Sequence, residues 1–143
     1  MTSNQLRIII FEDDEMLSGL LKKTLQDDGH EVLTFSDPTA CPVLQNYHTK
    51  CPQKHPCADV VISDINMPNM DGLELLSILK SRGCKALDAN KALMSADTSN
   101  EQRDAVKELG CKFFAKPFKL TDVKDWLEEC AARVPEGRLL AQL

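Results

Sequence analysis

The sequence predicts an α/β fold, a doubly wound parallel sheet of five strands with helices on both faces. Three observations predict it. Short apolar runs alternate five times with stretches of helical periodicity. Most of the connections are short, as parallel strand–helix units require. Four of the five strand candidates also run directly into residues with complementary chemistry: Glu12 and Asp13, Asp64, Ser95, and Lys116. Ligands of open parallel sheets bind outside the carboxyl ends of the strands, so this coincidence points the same way.

The first strand is Leu6 to Phe11, apolar apart from Arg7 and rich in Ile, followed by the acids Glu12 to Glu15. Leu17, Leu20, Leu21 and Leu25 recur at helical spacing, and Gly29 supplies a helix stop. The second strand is Glu31 to Phe35. Ser36-Asp37-Pro38 then starts a short second helix, a capping side chain before Pro at the first turn. Pro52 and Pro56 break the pattern, so Lys50 to Asp59 reads as a loop.

The third strand is the apolar run ending at Ser63-Asp64, and Leu73, Leu75, Leu76 and Leu79 mark a helix that stops at Gly83. A fourth strand over Lys91 to Met94 ends at Ser95, and Ala105, Val106 and Leu109 mark a helix closed by Gly110. Cys111 to Ala115 is the fifth strand. The last helix has the clearest stripe, Val123, Trp126, Leu127, Cys130, Ala131 and Val134, with Thr121 as its expected cap and Pro135 as its stop.

A chain of 143 residues with 43% hydrophobic and 27% charged residues suits one domain with a real core. Residues 1–134 are expected to form that domain and 135–143 a short tail, with no output domain attached. No apolar run approaches the roughly 20 residues that cross a bilayer, and the first one is too polar for a secretory signal, so the expected compartment is the cytoplasm. A net charge of -5 with no basic block argues against a nucleic-acid partner. The six cysteines are expected to be reduced thiols. Cys41, Cys51 and Cys57 with His48 and His55 raise a zinc site, but the C-x9-C-x5-C spacing lacks a close cysteine pair.

Three converging carboxylates repel one another unless a cation neutralises them, and oxygen-only ligands select a hard ion such as Mg2+. An ammonium from Lys116 and a hydroxyl from Ser95 beside them suit the oxygens of a phosphoryl group, with Asp64 as the nucleophile. The modest alternatives are that the acids load a helix N-terminus, which accounts for Asp14 and Glu15, and that Ser95 and Lys116 merely end strands.

At these residues the sequence resembles the receiver domain of two-component response regulators. The resemblance rests on Ile8-Ile9-Ile10-Phe11-Glu12-Asp13-Asp14, on Ser63-Asp64-Ile65-Asn66-Met67-Pro68-Asn69-Met70-Asp71-Gly72, on Met94-Ser95-Ala96 and on Phe113-Phe114-Ala115-Lys116-Pro117-Phe118. It implies a flavodoxin-like strand order 2-1-3-4-5 with five helices. Asp64 becomes the phosphoacceptor. Mg2+ is bound by Asp13, Asp64 and the main-chain carbonyl of Asn66, with Glu12 acting through water. Ser95 and Lys116 meet the phosphoryl group, the latter ahead of a cis Lys-Pro bond. Phe113 takes the place of the switch aromatic, without a hydroxyl.

The resemblance further implies a stand-alone, chemotaxis-regulator-like switch rather than an enzyme with turnover. A histidine kinase or histidine phosphotransfer protein would donate the phosphoryl group. A downstream protein would read the face of the fourth helix, fifth strand and fifth helix. The rivals are an aspartate-nucleophile phosphohydrolase, which would place an Asp-x-Asp pair on the first strand, and a degenerate receiver used only for docking.

Overall fold

A computed structural model of the chain describes residues 5–40, 51 and 53–142. Five strands, β1 (Arg7–Phe11), β2 (Glu31–Phe35), β3 (Val60–Asp64), β4 (Lys91–Ser95) and β5 (Lys112–Ala115), form one parallel sheet in the order β2-β1-β3-β4-β5. Four α-helices lie among the described residues: α1 (Glu15–Asp27), α2 (Gly72–Ser81), α3 (Asn100–Glu108) and α4 (Leu120–Arg133).

Alternation along the strands sorts the core into two layers. Ile8 and Ile10 of β1, with Val60 and Ile62 of β3, face Leu21 and Leu25 of α1 and Val123, Trp126 and Leu127 of α4. Ile9 and Phe11, with Val61 of β3, face Leu75, Leu76 and Leu79 of α2 and Val106 of α3. All five residues of β3 are buried, as expected of a central parallel strand covered on both sides. Phe114 meets Trp126 edge to face, 5.6 Å between ring centroids.

Three expectations need correction. The segment expected as a helix from Ser36-Asp37-Pro38 opens on a 3-10 turn at Pro38–Ala40, and its continuation falls on residues outside those described. Asp37 does cap it, its Oδ1 accepting from both the backbone N and the Oγ1 of Thr39. The α-helices therefore number four, not five, among the described residues. Thr121 is not a cap: α4 begins at Leu120, and the residue before it, Lys119, is extended and caps nothing with its side chain. The first residues of α4 are placed by Phe118 and Leu120, which pack on the core, rather than by a capping hydroxyl. Leu20 belongs to the periodic set of α1 but is 50% exposed, because the buried stripe is narrower than the apolar one.

The segment from 53 to 59 carries no helix or strand, as its prolines suggest. The tail docks through Arg138 and Ala141. Asp59, buried at the start of β3, accepts from Arg7 N at 2.8 Å and from Arg138 Nε at 2.9 Å. Arg7 Nη1 donates to Ala141 O at 2.7 Å, and Ala141 N donates to Pro56 O at 2.9 Å. Leu139 stays 63% exposed.

Candidate functional site

The strand order makes β1, β3, β4 and β5 neighbours, so their carboxyl ends share one edge. There the Glu12, Asp13 and Asp64 carboxylates come together, with one oxygen of each within 4.8 Å of the others. Glu12 and Asp64 are buried and Asp13 is exposed, so the cluster opens on one side. Lys116 Nζ donates to Glu12 Oε1 at 2.9 Å and lies 3.2 Å from Asp64 Oδ1. The four residues expected to carry charge at the site thus meet.

Local backbone structure explains the placement. Glu12 N donates to Phe35 O, which extends the β1–β2 ladder past the strand end and fixes the turn that presents the acids. Glu12 Oε2 in turn accepts from Asp14 N at 3.1 Å. Asp14 is the N-cap of α1, its carboxylate accepting from Met16 N and Leu17 N, so it serves the helix rather than the cluster. Asp64 closes β3. Its carbonyl accepts from Ser63 Oγ at 2.8 Å, and Ile65 N continues onto Met94 O of β4.

Gly72 is a residue that the sequence marked only as a turn. A Cβ on it would lie 2.4 Å from the Asp64 carbonyl oxygen and 2.7 Å from Leu93 Cδ2, so α2 can start this close to Asp64 only from a glycine. The close approach depends on the fold, and nothing local in an Asp-Gly pair reveals it.

Ser95 ends β4, fully buried, and its Oγ accepts from Asp97 N at 3.0 Å. Lys116 N donates to Ser95 O, tying the lysine to the serine's strand. The Lys116–Pro117 bond is cis. Asn66 lies in the exposed loop beyond Asp64. Phe113 does not join the charged group. It lies within β5 against the α2–α3 layer, with the Arg103 guanidinium of α3 5.0 Å from its ring centroid. No feature of the sequence linked Arg103 to Phe113, since only packing brings α3 over β5.

Burial pushes the Glu12 carboxyl up and the nearby Asp64 adds to this, while Lys116 and the Asp14 amide hold it partly down. Burial disfavours the charge on Lys116, but its bonds and proximity to Glu12 and Asp64 outweigh that and raise its pKa. Three oxygen ligands with no nitrogen or sulfur, one of them a buried acid that resists ionising without a cation, fit a hard divalent ion.

Residues 8–128 match the response regulator receiver domain family. The chain belongs to that family. It is 28% identical over 83% of its length to the two-component response regulator ARR11 of Arabidopsis thaliana, of which it spans 21%. It is 27% identical over 88% of its length to the chemotaxis protein CheY of Listeria monocytogenes, spanning 98% of that protein. Among solved structures, the N-terminal domain of an uncharacterized protein from Wolinella succinogenes superposes with a TM-score of 0.73 at 28% identity, covering 90% of this chain and 95% of that one. The Francisella response regulator 1452 receiver domain gives 0.74 at 21% identity, covering 90% and 98%, a likeness of fold.

Proposed function

We propose that this receiver domain accepts a phosphoryl group on Asp64 from a histidine kinase or a histidine phosphotransfer protein, and that the modified form is read by a protein partner in the cytoplasm. The observation that carries the reading is the Lys116 ammonium set between Glu12 and Asp64 beside a three-carboxylate cluster.

Glu12, Asp13 and Asp64, with the Asn66 carbonyl, would hold Mg2+. Bound there, the ion would neutralise charge on the phosphoryl oxygens during transfer. A carboxylate oxygen of Asp64 attacks phosphorus in line with the phosphohistidine nitrogen. The P–N bond breaks, and the imidazole leaves with the electron pair and takes up a proton. Lys116 exchanges part of its contact with Asp64 for a phosphoryl oxygen, keeping Glu12 as its second partner. Ser95 turns its hydroxyl from the Asp97 amide to donate to another phosphoryl oxygen. Water later cleaves the acyl phosphate slowly, so the domain is a signalling acceptor rather than a hydrolase with turnover.

Movement of Ser95 and the β4–α3 loop alters how Phe113 packs under Arg103. The face of α3, β5 and α4 is where the output partner would bind, the counterpart of the fourth helix, fifth strand and fifth helix expected from sequence. Without a hydroxyl, Phe113 signals through ring packing.

Intact mass after incubation with acetyl phosphate and Mg2+ tests the assignment. Wild type is expected to gain one phosphoryl group and Asp64→Asn none. Equal gain by both would remove Asp64 from the role.

A further inference from the structure

Phosphoryl transfer uses none of the six cysteines, and three of them converge on one small cavity. Cys51 and Cys57 come from the long connection between β2 and β3, and Cys84 follows α2. Together they line a space of about 40 Å³ against Ile9, Phe11 and Val61. All three are free, half-buried thiols.

Backbone bonds hold them in place. Cys51 N donates to Arg82 O at 2.8 Å, clamping the connection to the end of α2. Cys84 N donates to Leu79 O at 3.0 Å, just beyond Gly83 with its φ of 74°. Burial first, and then the neighbouring Cys51 and Cys84, push the Cys57 thiol up, while Arg7 and Arg82 pull it down. The shared cavity is what sets Cys57 beside both other thiols. Cys111 and Cys130 have different surroundings, each pushed up to about 11 by burial.

The zinc site raised from the sequence also involves Cys41 and His48, which lie outside the described residues, and among the described residues the one compact ligand cluster is Glu12, Asp13 and Asp64. A disulfide asks less of the geometry, needing only two of the three sulfurs to meet. We propose that Cys57 is the centre of a reversible dithiol–disulfide site, with Cys51 or Cys84 as its partner.

A low-molecular-weight disulfide such as glutathione disulfide is the oxidant. The Cys57 thiolate attacks one of its sulfurs, the S–S bond breaks, and one glutathione leaves as its thiolate. The Cys51 or Cys84 thiolate then attacks the Cys57 sulfur of the mixed disulfide, and the second glutathione leaves. The protein loses two electrons and two protons, and one glutathione disulfide becomes two glutathiones. The raised Cys57 pKa makes the first attack slow near neutral pH and faster as pH rises.

The test uses the full chain, reduced and then equilibrated in glutathione buffers of graded potential, alkylated, and digested without reductant. The expected result is a mass loss of two hydrogens and a peptide pair linked Cys51–Cys57 or Cys57–Cys84. Cys57→Ser abolishes the linkage, and Cys111→Ser leaves it intact. Glutathione adducts that never resolve, a bond to Cys41, Cys111 or Cys130, or a bond surviving in Cys57→Ser would each overturn the proposal. Linkage mapping on the wild-type chain decides the matter even if a variant fails to fold.

Discussion

Lys116 and Glu12 oppose each other's intrinsic tendencies, and their protonation is measurable. Replacing Lys116 with Met removes the hydrogen bond that holds the Glu12 carboxyl down, so an NMR titration of Glu12 is expected to shift further upward. The same variant should accept phosphoryl from acetyl phosphate more slowly, by about 100-fold, the scale of losing one charge-stabilising donor. The linkage signs differ. For Glu12 the folded state holds its proton more tightly than the unfolded chain, so its contribution to stability falls as pH rises from the ordinary carboxylate value through the raised one. Lys116 contributes fully below the ordinary lysine pKa and loses its contribution as pH rises through its raised folded value. Because Mg2+ requires the ionised carboxylate, its binding midpoint should move to higher concentration as pH falls toward the Glu12 pKa. A midpoint that ignores pH would remove Glu12 from the ion's surroundings.

At the level of elements, α2 is the most constrained. Its first residue touches the Asp64 carbonyl, and Gly72→Ala is expected to cost about 2 kcal/mol in urea unfolding, in the range for a forced backbone shift, while slowing modification of Asp64. Leu75, fully buried against the sheet, should cost about 2–5 kcal/mol when cut to Ala, without a specific effect on Asp64. The contrast separates a positioning role from plain stability. The strands were legible to within a residue at each end because each carries a short apolar stretch bounded by polar residues. Helix starts were less legible. Thr121 looked like a cap, yet α4 is anchored by Phe118 and Leu120, and the Asp37-Pro38 start opens on a 3-10 turn whose continuation lies outside the described residues. Caps are local signals, and at the start of α4 tertiary packing overrode one. The tail was illegible because nothing local in its sequence indicates that Arg138 and the Ala141 backbone make its contacts with the body.

Over the whole molecule, the two-layer core separates the helices by sheet face, with α1 and α4 on one and α2 and α3 on the other. The face formed by α3, β5 and α4 crosses that division at the β5 edge, so a rearrangement around Phe113 affects both layers. Phosphorylation is expected to shift amide resonances of α3, β5 and α4 more than those of α1 and β2, and a uniform pattern would argue against a localised output face. The charged site was legible because its residues follow strands, one edge collecting what the primary order scatters. Gly72, Arg103 and the cavity shared by Cys51, Cys57 and Cys84 were not, since each depends on contacts between elements. The anchoring of Arg138 on Asp59 lies at the amino-terminal edge of the sheet, and Asp64 lies at the other. A fluorophore or surface tether fused beyond Ala141 is therefore expected to emerge at the far pole, away from Asp64. The same fusion placed after the first strand would obstruct it.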